Sequence, residues 1–371
     1  MPFDVHDFPA ASRRDRATTR QSRNLVAVWL FTVAAMIMVM IALGGATRLT
    51  GSGLSIMEWA PLMGALPPAS DAEWDRLFGL YQRIPQYALM HDGFGLAGFK
   101  QIFWLEWTHR FWGRLIGLVF LVPLVWFGVT ARIERRLLPR LVLLFVLGGL
   151  QGAVGWFMVA SGFLPDSTAV SPYRLVIHLT LALALYAAIV WTGLSALYPN
   201  RYRPPAPPFL RGLAFACLAM VSLTILAGGF TAGLHAGLTY NTFPLMDGRL
   251  LPDGYAMLHP FIRNLTENVA AVQFDHRILA TMTLVLVSAM ALTGWRGGLP
   301  RPLAVCLAAT VVGQYLLGVT TLLLVVPVSV ATLHQSGAVL LLTVMLVVVH
   351  HLSGAARRPV EMSAALEVSV T

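Results

Sequence analysis

Four histidines occupy matched places in two copies of one sequence pattern. The stretch Gly44-Gly45-Ala46-Thr47-Arg48-Leu49-Thr50-Gly51-Ser52-Gly53-Leu54-Ser55 aligns with Gly228-Gly229-Phe230-Thr231-Ala232-Gly233-Leu234-His235-Ala236-Gly237-Leu238-Thr239, and Trp107-Thr108-His109-Arg110 aligns with Phe274-Asp275-His276-Arg277. Each copy carries a second histidine further on, His178 in the first and His334 in the second. The chain is a tandem duplication that retains two imidazoles per half. Imidazole is an axial ligand of haem iron, so the pattern predicts one haem held in each half. A lone histidine at a membrane-helix end is ordinarily interfacial. Four at equivalent positions, where most neighbours have diverged, point to function. Zinc is disfavoured because the sequence holds no HExxH segment and no Cys/His cluster.

Charged neighbours extend this reading. Arg110 and Arg277 directly follow two of the histidines, Arg114 lies one turn further on, and Arg174 lies one turn before His178. Guanidinium groups there either bind the two haem propionates through charge-assisted hydrogen bonds or snorkel to water as boundary arginines. The copies differ three residues before the first histidine, where Glu106 is matched by Gln273. Residues i and i+3 share a helix face, so Glu106 projects toward the space that His109 faces. Glutamine there can hydrogen-bond, but it cannot transfer a proton or offset positive charge. The first half therefore reads as reactive and the second as cofactor-holding. Alternatively, Glu106 favours the positive end of the helix dipole. Asp275, beside His276, reads first as a helix-start stabiliser and second as a group that orients the imidazole.

These groups must be carried by membrane helices. With 57% hydrophobic and 12% charged residues in 371, the chain cannot cover itself with a polar surface. Its mean hydropathy of +0.70 agrees. Apolar runs lie at about 25–45, 111–131, 140–160, 174–197, 210–230, 275–294, 302–326 and 331–351, each near the roughly 20 residues that span a bilayer. The expected fold is all-α integral membrane, with eight transmembrane helices forming two tandem four-helix bundles. Four is even, so both copies enter the membrane in one direction, related by a pseudo-twofold axis along its normal. The expected divisions are an N-terminal tail (1–24), an N-terminal half with the substrate haem site (25–200), a linker (201–209), a C-terminal half with the cofactor site (210–352) and a C-terminal tail (353–371). His109, His178, His276 and His334 then fall near the starts of the second, fourth, sixth and eighth helices.

Orientation follows from arginine, which collects in short cytoplasmic loops. Arg13, Arg14, Arg16, Arg20 and Arg23 in the tail, Arg132, Arg135, Arg136 and Arg140 after the second helix, and Arg201, Arg203 and Arg211 after the fourth mark the cytoplasmic face. Arg296, Arg301, Arg357 and Arg358 agree, so both termini lie inside and all four imidazoles lie toward the outer face. A formal charge of +9 is explained by topology and anionic lipid, which argues against nucleic-acid binding. No apolar segment precedes the first helix and Asp4, Asp7 and Asp15 stand there, so the reading is a bacterial cytoplasmic (inner) membrane protein without a cleaved leader. The two cysteines, Cys217 and Cys306, fall inside apolar runs, not in a CxxC. His6, His91, His235, His259, His350 and His351 read as structural or interfacial.

The ordered set formed by Gly44–Ser55, Trp59 and Pro61, Glu106-Trp107-Thr108-His109-Arg110, Gln151-Gly152, His178, Asn241-Thr242-Phe243-Pro244-Leu245-Met246, Asp275-His276-Arg277 and His334-Gln335 resembles the haem A synthase family over nearly the whole chain. That resemblance implies an oxidoreductase that converts haem O to haem A for assembly of haem A-containing terminal oxidases. A ring methyl would be oxidised to hydroxymethyl, then to a hydrated aldehyde that loses water to give a formyl group. The resemblance further implies haem b as resident cofactor on His276 and His334, substrate haem O between His109 and His178, and Glu106 as the acidic residue that moves a proton or stabilises positive charge. Haem O synthase and cytochrome oxidase assembly machinery are the implied partners. Some relatives carry a cysteine pair in the first outer loop, and this sequence has none there. The chain holds no dinucleotide or P-loop motif, so an external electron carrier is required.

Two rival readings use other logic. A di-haem b electron-transfer cytochrome would employ the same four histidines, but both haems would sit at one face, leaving no stack across the membrane. A duplicated transporter would need acidic or broken spans, and the apolar runs show few acidic residues.

Overall fold

The computed structural model describes residues 13–60, 63–199 and 206–354. His6, Pro61, Arg201, Arg203, Arg357 and Arg358 lie outside them, as do residues 1–12 of the tail, 201–205 of the linker and 355–371. Among the described residues the chain is helical, with one isolated β-bridge between Met246 and Arg249. The helices are α1 (Arg13–Leu49), α2 (Asp71–Tyr81), α3 (Pro85–Met90), α4 (Leu96–Val129), α5 (Leu138–Val159), α6 (Pro172–Leu197), α7 (Pro208–Gly233), α8 (Asn264–Glu267), α9 (Val269–Arg296), α10 (Arg301–Leu323) and α11 (Val328–Leu352). Eight of them, α1, α4, α5, α6, α7, α9, α10 and α11, are long and apolar enough to cross a membrane.

Local chemistry fixes the helix starts. Proline stands in the first two positions of α5, α6, α7 and α10, where its missing N–H would have had no helical partner. Asn268 caps α9 by accepting from the amides of Ala270 and Ala271. Three helices begin well before the apolar runs indicate: α1 starts in the arginine-rich segment at Arg13, and the first turns of α4 and α9 pack against loop residues. In α4, Phe99, Ile102 and Phe103 join Leu54, Trp74, Leu77 and Tyr81 in a separate core. His109 therefore lies deep within α4, and His276 lies in the second turn of α9. Glu106, about three turns into α4, is too far from the helix start for the dipole to explain it. Asp275 likewise misses the first turn of α9 and instead accepts a hydrogen bond from the Tyr255 hydroxyl at 2.8 Å.

Neighbour relations form two closed rings. In one, α1 packs on α4, α4 on α5, α5 on α6 and α6 on α1; in the other, α7 packs on α9, α9 on α10, α10 on α11 and α11 on α7. The rings meet through α1 with α11, α6 with α7, and α6 with α11. Exchanging each helix for its counterpart in the other copy leaves this scheme unchanged. The histidine-bearing helices α4 and α6 stand opposite each other in their ring, as do α9 and α11 in theirs. Lipid tails are as apolar as leucine, so close packing and internal hydrogen bonds must hold such helices together. The indoles of Trp29 and Trp112 donate to Val119 O and Met36 O at 2.8 and 2.9 Å, joining α1 to α4.

Across the seam, the second glycine of each Gly-Gly pair provides the close approach. A Cβ at Gly45 would lie 2.5 Å from Gln335 Oε1 of α11, and one at Gly229 would lie 3.1 Å from Val176 Cγ2 of α6. Gln335 donates to Ile41 O at 2.9 Å, and Arg48 Nη1 donates to Ala232 O at 2.9 Å. Both bonds join one half to the other.

The loop between α1 and α4 carries α2 and α3 and a buried polar chain. His91 Nδ1 lies 2.5 Å from the Tyr81 hydroxyl, which donates to Gln86 Oε1 at 3.0 Å. Gln86 in turn donates to Gly51 O and Thr168 O, tying the loop after α1 to the loop before α6. Burial holds the His91 imidazole below its usual 6.5. Its folded value is thus below its unfolded one, so the contribution to stability is complete above 6.5 and is lost as pH falls from there through the folded value. The protection factors of amides around Tyr81 and Gln86, with the intrinsic pH dependence of exchange divided out, should fall on acidification from about pH 7 to about pH 5, and His91→Gln should flatten that fall. Protection factors that stay constant with pH in the unaltered protein would contradict this.

Candidate functional site

Each of the four imidazoles rests in a hollow left by a glycine of the preceding membrane helix. A Cβ at Gly44 would lie 3.1 Å from His109 Nε2, and one at Gly155 would lie 2.9 Å from His178 Cε1. In the second ring the distances are 3.0 Å from Gly228 to His276 Cε1 and 2.8 Å from Gly318 to His334 Cε1. His109 and His178 lie within electrostatic range of each other, as do His276 and His334. Each ring thus presents two imidazoles from opposed helices.

Above these histidines, each half holds its long loop with the same arginine. Arg110 donates through Nη2 to Ile56 O at 2.6 Å and through Nη1 to Glu58 O at 3.0 Å. Arg277 donates through Nη2 to Tyr240 O at 2.5 Å and through Nη1 to Thr242 O at 2.9 Å. The residue four positions earlier completes each clamp. Glu106, only 2% exposed, accepts at Oε1 from Arg110 Nη2 (2.6 Å) and Nε (3.0 Å), and at Oε2 from Ser55 Oγ (2.7 Å) and the Ile56 amide (2.9 Å). Gln273, equally buried, donates to Ala236 O and Thr239 O at 2.7 and 2.6 Å and accepts from Arg277 Nη2 at 3.1 Å. Arg114 donates to Ala60 O at 2.7 Å, and Arg174 donates to Phe157 O at 2.8 Å with its guanidinium 4.0 Å from the Phe157 ring centroid. All four arginines selected from the sequence therefore hold loop or helix-end carbonyls.

The sequence reading missed all four glycine hollows and the role of the glutamines four residues before those on α5 and α10. Gln151 Nε2 lies 3.0 Å from His178 Nδ1, and Gln314 Nε2 lies 3.1 Å from His334 Nδ1. The signal was the shared spacing Gln151…Gly155 and Gln314…Gly318, which places both residues on one helix face. His350, by contrast, lies at the far end of α11 against the Trp191 ring at 5.1 Å, away from the paired histidines.

The donor set suits haem better than a bare ion. Among the described residues no group of three or more His, Cys, Asp or Glu side chains can hold a metal. Two imidazoles per ring are enough only for an iron whose other ligands come with it. The buried Nδ1 of His276 and Oε1 of Gln314 lack hydrogen-bond partners, so the second ring keeps polar capacity unspent beside its histidines.

Eight apolar helices in two matched rings define a multi-pass membrane protein built by duplication. Residues 27–346 match the family model described as cytochrome oxidase assembly protein. The chain is 62% identical over 344 residues to the haem A synthase of Granulibacter bethesdensis, covering 92% of this chain and 91% of that protein. It is 48% identical over 347 residues to the haem A synthase of Rhodospirillum centenum (93% and 91% covered) and 47% identical over 340 residues to haem A synthase 2 of Acidiphilium cryptum (90% and 92%). The chain belongs to the haem A synthase family, a family of oxidoreductases.

The two clamps predict unequal costs. Arg110→Gln strands the buried Glu106 carboxylate and should destabilise by about 3 kcal/mol or more, with faster amide exchange at Ile56. Arg277→Gln leaves a neutral partner and should cost about 1–2 kcal/mol, with the change centred on Tyr240. Thermal unfolding in detergent with exchange mass spectrometry measures both, and equal losses would show that the Glu106 charge carries no weight.

Proposed function

We propose that this protein converts haem O to haem A in the bacterial cytoplasmic membrane, with both termini cytoplasmic and the long-loop side outside. The arginine distribution supports that orientation, and the family relationship supports the reaction. Two four-helix bundles related by a pseudo-twofold axis divide the labour. His109 and His178 flank substrate haem O, while His276 and His334 hold haem b. When bound, haem b supplies one-electron chemistry that no side chain in the site can provide. A ring methyl of haem O gives up two electrons and a proton, and the resulting carbon takes up water and releases a second proton to become hydroxymethyl; a second such step gives the hydrated aldehyde, and loss of water leaves the formyl group. The four electrons leave to an external carrier, and the product feeds the assembly of terminal oxidases.

The observation that carries this reading is the placement of Glu106. Two otherwise equivalent clamps differ by one negative charge, and that charge lies one turn from His109 on the same face. Four donors occupy its two oxygens, so Glu106 acts as a fixed negative charge that offsets positive charge developing at the methyl carbon. Carrying a proton would require it to break from Ser55, Ile56 or Arg110. Arg110, Arg114, Arg174 and Arg277, which hold loop and helix-end carbonyls, are the groups that would meet the haem propionates.

Glu106→Gln should retain bound haem b and make no haem A, since it removes the negative charge while keeping a side chain of nearly the same shape. His276→Ala or His334→Ala should lose haem b, whereas His109→Ala and His178→Ala should keep it and lose product. Pigment extraction with mass spectrometry reads all of these. Normal haem A production by Glu106→Gln would remove the carboxylate from the mechanism, and only haem b from cells making the unaltered protein would favour the di-haem cytochrome.

A further inference from the structure

The two rings differ in one wall. In the first ring, Phe145, Gly149, Gly152 and Trp156 share the face of α5 that meets α4, and Arg110, Gly117 and Phe120 share the face of α4 that meets α5. The ends of this wall are in contact. The Phe120 and Phe145 rings lie 6.0 Å apart between centroids, and the Arg110 guanidinium lies 5.6 Å from the centre of the Trp156 ring. Between these contacts the wall is open, since a Cβ at Gly117, Gly149 or Gly152 would meet no atom of the described residues within 4 Å outside the adjoining backbone. Of the eight apolar helices, α4 and α5 bury the smallest shares of their apolar stretches. At a rise of about 1.5 Å per residue, Gly152 lies about 4.5 Å along α5 from the hollow that faces His178, and Gly117 lies about 12 Å along α4 from His109. The gap therefore adjoins the first pair of imidazoles.

In the second ring the same wall is filled. Leu284, Val312 and Tyr315 stand where the first copy has Gly117, Gly149 and Gly152. Thr281 of α9 donates to Arg277 O at 2.9 Å, so its oxygen accepts from the Tyr315 hydroxyl of α10 at 3.2 Å, and this bond bars the space between the two helices. Phe243 of the long loop packs edge-on against Tyr315 with 6.3 Å between ring centroids. Its counterpart Trp59, likewise three residues beyond the first carbonyl held by the clamp, stacks on Trp156, one turn beyond the position that matches Tyr315. The copies thus differ in bulk, in a hydrogen bond and in where the loop aromatic rests.

Haem O carries a long isoprenoid chain where haem b has a vinyl group. A porphyrin held between opposed helices can accommodate such a chain only where a neighbouring wall opens onto hydrocarbon. We propose that the gap at Gly117, Gly149 and Gly152 receives the isoprenoid chain of haem O and leads it into the bilayer, and that Tyr315 denies the same chain a place in the second ring, restricting that ring to haem b. This rests on the division of labour proposed above and goes beyond it by naming the residues that decide which haem each ring takes.

The test titrates the purified holoprotein, its haem b in place, with haem O and separately with additional haem b, which lacks the chain. Gly152→Tyr copies the closed wall and should weaken haem O binding about tenfold or more, with the affinity for added haem b changed by less than about twofold. Leu150→Tyr adds the same bulk to an exposed position on the far side of α5 and should alter neither. Tyr315→Gly opens the second ring, and extraction with mass spectrometry should find haem O or haem A replacing part of its haem b. Unchanged haem O affinity in Gly152→Tyr would overturn the proposal, as would equal weakening for both haems, which sets the added ring against the porphyrin and not the chain. Full retention of haem b by Tyr315→Gly would overturn the role given to Tyr315. Haem O binding indifferent to His109→Ala and His178→Ala would instead refute the underlying assignment of haem O to the first ring.

Discussion

Helices in this protein come closest where glycine removes a side chain, and the site is built from those approaches. Gly44, Gly155, Gly228 and Gly318 each face an imidazole across a gap that a methyl group would close. Gly45 and Gly229, next in sequence to two of them, do the same for the seam between the halves. One Gly-Gly pair thus serves two contacts on different faces of one helix, toward its own histidine and toward the other ring. Since apolar burial gives little net drive inside a bilayer, this closeness of backbone and side chain is what can hold the rings in register.

The duplication preserved a frame and altered its charge. In both halves an arginine binds two loop carbonyls two residues apart, and the residue one turn before it meets the same loop. Glu106 accepts from a hydroxyl and an amide, whereas Gln273 donates to two carbonyls. The first loop must therefore turn donors toward the helix where the second turns acceptors. The single negative charge is matched by a local backbone arrangement, so it belongs to the architecture of the first half as well as to its chemistry.

Much of this was legible in the sequence because the repeat could be read against itself. Matching Gly44-Gly45 to Gly228-Gly229, and His109 to His276, set the two copies in register, and the apolar runs gave eight spanning helices; that these glycines touch these histidines came only with the structure. The starts of α4 and α9 were not legible. The early turns of α4 bury one face against loop residues such as Trp74 and Tyr81, and Gln273 in the early part of α9 meets the loop at Ala236 and Thr239, which a search for continuous apolar stretches passes over. The arginine partners were hidden for a different reason, since backbone carbonyls carry no sequence signature. Gln151 and Gln314 were hidden because each is a single polar residue in an apolar run, and the sequence does not say which neighbouring helix it faces.

The seam also constrains how the protein comes into being. Of the described helices α1 leaves the ribosome first and α11 last, yet Gly45 of α1 and Gln335 of α11 fill one another's space. Through most of synthesis the nascent N-terminal ring holds an unfilled face, and His334 arrives only with the final helix. The paired imidazoles of the second ring are therefore complete only once α11 has been made, and the seam between the rings closes at the same step.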